Sequence, residues 1–553
     1  MKKISVVFTT LLVEKSPQAL PLGAACCASA VKNHPLTKDF CDVSLYATSV
    51  EDEDFIKANT SPDSAAEFLA EQISKYKKDN QEKFICCFSI YMWNRIILEK
   101  TAAILKKNGA LVLCGGPEVT AHPEVFKAFD GIIPGEGENK VPELIGKLLM
   151  LPPVESKQKE NSDKNCIKEL IYSSPYLDGT LDPSDYDGAL WELARGCPFK
   201  CSYCYESKGE KSVRLFPMER IEAELDLFAR KKIGQVFVLD PTYNANKERA
   251  LKILNLLKKK TPDTFYYFEA RAEFIDKQLA KAFTQIPCAI QIGLQSANEE
   301  VLKLLHRPTN KKTFAKNIGF LNEEGAIFGF DLIYGLPGDT FKSFKESIDF
   351  ALSLYPNNLE IFCLSVLPGT DLYDRAEELH LTYESEPPYH VLHTDKFSAQ
   401  DLNQAKKIAN ACNIFYNDGR AVPWFNSICK AAKIRGSQFF VLFAEYLGNK
   451  KINCRNHKEI ENIQIDFVKQ LLQKNHQEKY IKLACDLIIF NGALSRTQDT
   501  GKSEKIDLNY DSEYLASEYA ADLQFFIQNI KMHQNTTETF KNGNFADFKK
   551  VKK

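Results

Sequence analysis

What most narrows the fold of this chain is a repeated alternation between short apolar runs and amphipathic stretches. Strand-like runs fall at Ile4–Phe8, Val43–Tyr46, Phe84–Phe88, Ala110–Leu113 and Gly131–Ile133, with helical periodicity between several of them, as at Ser64–Tyr76 and Leu98–Lys107. The alternation resumes further on, with strand candidates at Leu190–Ala194, Gln235–Leu239, Thr264–Phe268, Ala289–Gly293, Ile327–Ile333 and Leu359–Val366. Helices are expected between these, at Met218–Lys231, Lys247–Lys259 and Phe341–Leu354. Strands separated by helices pair in parallel, and both faces of such a sheet are covered. The chain has 553 residues, too many for one core, so two separate α/β units are expected, the second an open or closed parallel barrel of six β/α units.

The intervening segment, 151–185, opens on Pro152-Pro-Val-Glu-Ser-Lys-Gln-Lys-Glu and has the composition of a linker. From 396 onward the character changes: Gln400–Tyr416, Glu459–Leu472 and Tyr514–Ile530 carry helical periodicity, and the polar tail from Asn535 is expected to fray. Four segments result: 1–150, a linker at 151–185, 186–395, and a helical extension at 396–553.

A net charge of −2 gives no basic excess for a polyanionic partner, so no nucleic acid is expected. No apolar run approaches the roughly 20 residues that span a bilayer. The apolar start, Ile4 to Val13, is broken by Glu14 and Lys15 and suits a first buried strand better than an export signal. A cytoplasmic protein is expected. Sixteen cysteines are then a poor disulfide set. Many stand in apolar surroundings, as in Ile85-Cys86-Cys87-Phe88, and are expected to be buried small hydrophobes.

One group has ligand spacing. Ala194-Arg-Gly-Cys197-Pro-Phe-Lys-Cys201-Ser-Tyr-Cys204 follows a strand candidate, which places the loop at the C-terminal mouth of the barrel, where barrel chemistry sits. A CxxxCxxC loop can supply Cys197, Cys201 and Cys204 to one [4Fe–4S] cluster, which normally takes four ligands, so one iron stays open. Zinc is the rival, but no second short Cys/His pair lies nearby in sequence.

This loop resembles that of the radical S-adenosylmethionine (SAM) superfamily, including the aromatic Tyr203 before the last cysteine, a position that packs near the adenine in that family. The resemblance continues through Asp240-Pro-Thr-Tyr-Asn, Glu269-Ala-Arg271, Gln291-Ile-Gly-Leu-Gln295-Ser296-Ala-Asn298 with Arg307, Asp331-Leu-Ile-Tyr-Gly335-Leu-Pro-Gly338 and Leu367-Pro-Gly369-Thr370. It implies SAM as a cofactor, with Tyr203, Asp240, Glu269, Arg271, Gln295 and Ser296 as candidate contacts. Glu269 and Arg271, two apart on one strand face, could equally pair with each other.

The first unit carries Cys114-Gly115-Gly116-Pro117-Glu118 and Ile133-Pro134-Gly135-Glu136-Gly137-Glu138, each after a strand candidate, and Ser89-Ile-Tyr91-Met-Trp93-Asn94 after another. Glycines there let backbone approach a ligand at the sheet's C-terminal crevice. Ahead of a CxxxCxxC barrel, this order resembles the cobalamin-binding subgroup of radical SAM proteins, in which a flavodoxin-like domain presents cobalamin to the barrel mouth. Gly115, Gly116, Gly135, Glu136, Tyr91 and Trp93 become candidate cobalamin contacts. The DxHxxG motif that supplies a histidine to cobalt is absent, which leaves Tyr91, Trp93 or no residue beneath the corrin. His390 and His393, three apart just ahead of the extension, could be metal ligands or bases, or simply solvated loop histidines.

The resemblance implies a cobalamin-dependent radical methyltransferase served by a low-potential electron donor such as flavodoxin or ferredoxin, with an unknown substrate. Two rivals stand beside it: a radical enzyme that does not methylate (ring contraction, cyclisation or rearrangement), and a non-catalytic cobalamin or redox sensor.

Overall fold

Apolar side chains on both faces of a strand force it into the middle of a layered sheet, and β1 (Ile4–Leu12) is buried from Ser5 to Leu12. The computed structural model describes residues 4–78, 83–151, 174–207, 213–448, 450, 452–543 and 545–551. Around β1 it places β2 (Cys41–Ser49), β3 (Phe84–Ser89), β4 (Leu111–Gly115) and β5 (Gly131–Ile133) in the order β2-β1-β3-β4-β5, with every neighbouring pair parallel. This is the flavodoxin-like order, whose reversal between β1 and β3 opens a crevice at the strands' C-terminal ends. The apolar start of the chain is thus the first buried strand, as expected.

The second sheet contains β6 (Gly188–Trp191), β9 (Gln235–Val238), β10 (Phe265–Ala270), β11 (Cys288–Gln295), β12 (Phe328–Tyr334) and β13 (Asn358–Cys363). They pair in parallel, each with its neighbour in this series, and β6 and β13 stay at the edges, so the barrel is open. Its faces follow the two-residue period. In β11, Cys288, Ile290, Ile292 and Leu294 are buried, whereas Gln291, Gly293 and Gln295 are only partly so. The intervening helices are capped from the sequence: Asn246 accepts from Arg249 N at the start of Lys247–Lys260, and Lys232 adopts the left-handed conformation after Met218–Lys231. Two residues beyond β6, β7 (Ala194–Arg195) pairs antiparallel with β8 (Arg214–Leu215) and frames the cysteine loop.

Most of the segment expected as a linker, 152–173, lies outside the described residues. From Ser174 the chain is packed: Tyr176 donates to Leu190 O at 2.7 Å and stands edge-on to Phe228. Past the barrel, β14 (Thr382–Tyr383) and β15 (Val391–His393) form a small hairpin. Helices Ala399–Cys412, Phe425–Ala432, Gly436–Leu447, His457–Lys474 and Ile481–Thr500 follow, gathered on an aromatic core in which Phe415 meets Phe439 and Phe443 at 4.6 and 4.8 Å.

Two expectations fail here. The helix over Tyr514–Ile530 is broken into Ser512–Leu515, a 3₁₀ turn at Glu518–Ala521, and Leu523–Asn529, because Ser517 and Asp522 turn their side chains onto following backbone N–H groups and start new caps. The tail does not fray. β16 (Glu504–Leu508), β17 (Asn535–Asn542) and β18 (Phe545–Lys550) make an antiparallel sheet in which Thr537 and Thr539 are fully buried. Thr539 meets Thr497 at 2.6 Å. Hydrogen-exchange mass spectrometry should therefore find the peptide over 535–543 protected to the level of its neighbouring helices; complete exchange at the earliest time point would contradict the sheet.

Candidate functional site

The two sheets direct their C-terminal edges at one another, and between them lies a cavity of about 1020 Å³. Its N-terminal wall comprises the ends of β3 to β5, with Tyr91, Gly115, Gly116, Gly135 and Glu136, together with Cys26, Cys27, Cys87 and Cys114. The opposite wall is the barrel mouth, with Glu192, Arg195, Gly196, Tyr205 and Glu206. Trp93 is not on this wall. It stacks on Tyr91 at 4.5 Å, donates to Leu11 O at 3.0 Å and is half-exposed. Burial pushes the Tyr91 phenol up to about 12, and the thiols of Cys26, Cys27 and Cys87 are raised further above their ordinary range by the same cause.

Two of the glycines also serve the protein's own packing. At Gly116, φ is +106° and a Cβ would stand 2.6 Å from Ile90 O. At Gly137 a Cβ would meet Cys27 Sγ at 2.6 Å. Glycine at both positions serves close approach of the protein to itself. The backbone ridge that results is what faces the cavity.

The cysteine loop is pinned on several sides. Cys204 N donates to Cys201 O at 3.1 Å, Ser202 N to Leu305 O at 3.0 Å, and Leu372 N to Ser202 O at 2.8 Å. Asp240 accepts from Leu193 N and Ala194 N at 2.8 and 2.9 Å, so its carboxylate braces the chain leading into the loop. Cys197 Sγ lies 3.9 Å from Thr242 Oγ1, and Arg307 Nη1 donates to Cys201 Sγ at 3.6 Å. Burial pushes the Cys204 thiol up to about 11, with the neighbouring Cys201 and Cys197 adding to the shift. Thiols so placed must lose protons to bind iron. Among the described residues no group of three or more His, Cys, Asp or Glu closes on a single metal ion. Two buried polar atoms beside Cys201, Ser202 Oγ and Arg307 Nε, have no partner among the described residues. Unused donors next to a cysteine suit a cluster, whose sulfurs accept hydrogen bonds.

Inside the barrel, Glu269 and Asp331 face the lumen. Burial, with Asp331 and Glu206 adding to it, lifts Glu269 to about 7; burial lifts Asp331 to about 6, although Gln291 Nε2 donates to it at 2.6 Å. Arg271 does not pair with Glu269. It binds Glu273 at 2.6 Å and lies 3.9 Å over the Phe199 ring, thereby backing the cysteine loop. Gln295 adopts φ +66° and folds its amide toward Gly293. Ser296 turns away from the mouth: its hydroxyl accepts from Asn298 N at 3.1 Å and meets Ser347 Oγ at 3.4 Å. Glu136 holds Arg214 at 3.0 Å and crosses from the first unit to β8. His390 and His393 belong to the β15 region, where His390 N donates to Glu384 at 3.1 Å.

Sequence reasoning missed Arg195, Glu192, Glu138 and Glu206. Arg195 binds Glu138 at 2.6 Å and Glu192 at 2.9 Å, joining the two walls next to Cys197. Its position, two residues before the first cysteine, was the available signal. Gln291 and Asp331 were within quoted motifs, and the two-residue period of β11 and β12 would have placed both in the lumen.

An open parallel barrel with a three-cysteine loop at its mouth defines a radical SAM domain, and residues 191–351 match the radical SAM superfamily model. Residues 377–550 match a family described as a protein of unknown function, DUF4080. The chain thus carries a radical SAM domain, which takes a [4Fe–4S] cluster and SAM, followed by a DUF4080 domain.

It is homologous to cobalamin-dependent radical SAM methyltransferases. The enzyme of that description, TokK from Streptomyces tokunonensis, is 26% identical over 350 residues, covering 55% of this chain and 50% of that protein. The 2-(S-pantetheinyl)-carbapenam-3-carboxylate methyltransferase of Streptantibioticus cattleyicolor is 25% identical with the same coverage. The chain spans about half the length of these relatives. In fold it is similar to the radical SAM methyltransferase TsrM from Kitasatospora setae, solved with cobalamin and a [4Fe–4S] cluster (TM-score 0.51, 12% identity, 71% of this chain and 79% of that one). It is also similar to the cobalamin-dependent radical enzyme OxsB (TM-score 0.53, 13% identity, 87% and 80%).

Burial pushes the Asp240 carboxyl up to about 7. The fold therefore prefers the protonated acid at Asp240, Glu269 and Asp331. Between about pH 4, where such groups ionise in an unfolded chain, and about pH 7 the folded state holds extra protons, and their contribution to stability falls as pH rises. Cluster-free protein carrying Asp240→Asn, which keeps the bracing oxygen but cannot ionise, should lose less thermal stability than wild type between about pH 5.5 and about pH 7.5. Equal losses in the two proteins would contradict the shift at Asp240.

Proposed function

We propose that this chain is a cobalamin-dependent radical SAM methyltransferase acting on an unactivated position of its substrate. What carries this reading is a cavity walled on one side by the glycine ridge of a flavodoxin-like sheet and on the other by the mouth of a radical SAM barrel, where Arg195, Gly196 and Tyr205 flank the cysteine loop. Its size is at the upper end of ordinary ligand pockets, roughly 300–1,000 Å³. When bound, the cluster supplies the electron that cleaves SAM to a radical, and cobalamin carries the methyl group.

The chain's own residues divide the work. Cys197, Cys201 and Cys204 would hold the cluster, three thiolates where such a cluster can take four, so that it could also bind SAM. Tyr203 packs beside it. Glu269, Gln295, Gln291 and Asp331 offer polar groups to SAM within the lumen. Asp240 and Arg271 act on the loop rather than on the cofactor, Asp240 through Leu193 and Ala194 and Arg271 through Phe199. Ser296 holds a helix cap. In the first unit, residues 1–150, the ridge at Gly115, Gly116 and Gly135, with Tyr91, would hold the corrin, and Glu136 clips the unit to the barrel through Arg214. Trp93 supports Tyr91. Radical SAM domains depend on an electron donor, and a flavodoxin or ferredoxin is proposed here. No helix among the described residues is long and apolar enough to cross a membrane.

Anaerobic protein loaded with iron, sulfide and hydroxocobalamin, then given SAM and dithionite, should bind corrin and form both 5′-deoxyadenosine and S-adenosylhomocysteine. Formation of 5′-deoxyadenosine alone would replace methylation by a ring contraction, cyclisation or rearrangement; neither product from fully loaded protein would favour a sensor. Cys201→Ala should abolish iron content and both products while corrin uptake persists, and a cluster spectrum near wild type would remove Cys201 from the ligand set.

A further inference from the structure

Of the three loop cysteines, Cys201 is the most buried, at 6% exposure, and a cation touches its sulfur. Arg307 follows the helix Glu299–Leu304 and is anchored by its own N–H on Leu302 O at 2.8 Å. From there its guanidinium crosses beneath the loop. Nη1 donates to Cys201 Sγ at 3.6 Å, and Nη2 donates to Gly293 O in β11. A Cβ on Gly293 would press first on the Gln295 amide and would stand 3.1 Å from Nη2, so the bare backbone at this position leaves room for both side chains. Arg307 is 9% exposed, and its Nε has no partner among the described residues. The carboxylate that acts on it, Glu273, is engaged by Arg271.

A guanidinium stays charged at any working pH. Burying one with a donor unmet is unfavourable unless something beside it carries compensating negative charge. Cluster potentials respond to net charge and to hydrogen bonds on the sulfurs. Both act in one direction here, because the reduced cluster is the more negative state and gains more from a cation that donates to its ligand.

We propose that Arg307 is a positioning residue that sets the reduction potential of the cluster through Cys201, making the cluster easier to reduce by one electron from a low-potential donor. The proposal rests on the reading that Cys197, Cys201 and Cys204 hold a [4Fe–4S] cluster.

The test uses the full chain, reconstituted anaerobically. Iron and sulfide content and the cluster spectrum of the wild type come first; an empty wild type sinks the cluster reading and this proposal with it. The midpoint potential is then followed by electron paramagnetic resonance during redox titration. Arg307→Gln should retain the cluster but titrate at a more negative potential, and Arg307→Lys should lie between it and wild type. Loaded Arg307→Gln with the wild-type midpoint overturns the proposal and leaves the cluster reading standing. Should Arg307→Gln not hold a cluster, wild-type protein labelled with ¹⁵N-arginine decides. Nitrogen hyperfine coupling to the reduced cluster, lost in Arg307→Lys, is expected, and its absence from wild type overturns the proposal.

Discussion

The site depends on one cation. Arg195 stands two residues before Cys197, largely buried, and gathers Glu192 from its own loop at 2.9 Å, Glu138 from the first sheet at 2.6 Å and, more distantly, Glu136 at 3.8 Å. Glu138 is 5% exposed, a depth a carboxylate tolerates only beside a paired charge. The pairing fixes the loop and the β5 turn to the same point, so the two walls of the cavity cannot separate without stranding a buried charge. Around this pin the β7–β8 pair is closed by Arg214 on Glu136, and Arg195 rests against the Phe216 ring.

A second tie works on the opposite side of the first sheet. Tyr389, 2% exposed, donates to Glu118 at 2.8 Å and receives from Arg95 at 3.3 Å. Arg95 in turn lies 3.4 Å from Glu118 and 3.7 Å from Glu386. The segment that opens the DUF4080 match therefore reaches back to the N-terminal sheet, and three stretches of chain far apart in sequence are held together by two small polar knots. Each knot has a buried centre, Arg195 with Glu138 in one and Arg95 with Glu118 and Tyr389 in the other, which makes the arrangement specific in a way that apolar contact would not.

Most of the architecture was legible because periodicity and capping agree with the packing. Strand candidates in both series fall on observed strands, since an apolar run between helices has few alternatives to a buried parallel strand. The three cysteines stood out through their spacing together with the strand before them and the family resemblance, and the structure places their loop at the barrel mouth. What was not legible has identifiable causes. The tail alternates threonine with charged residues, and its β-branched members bury as well as apolar ones when a hydroxyl such as Thr497 is available. Ser296 carries a motif yet faces a helix, because the register shifts between Gly293 and Gln295 and Gln295 sits at φ +66°, which breaks the alternation that would have aimed it inward. The partnership of Arg195 with Glu138 spans 57 positions and leaves no local trace.

The thiols of the cavity wall have a chemical consequence. SAM and a methylated corrin are both alkylating agents, and a thiolate is the form of cysteine that attacks them. A chamber bordered by Cys26, Cys27, Cys87 and Cys114 would destroy itself by self-alkylation if those sulfurs ionised. Burial holds all four above their ordinary range, Cys114 to about 12. The same sulfurs that give the wall its soft, polarisable lining are thereby kept inert toward the electrophiles it would enclose.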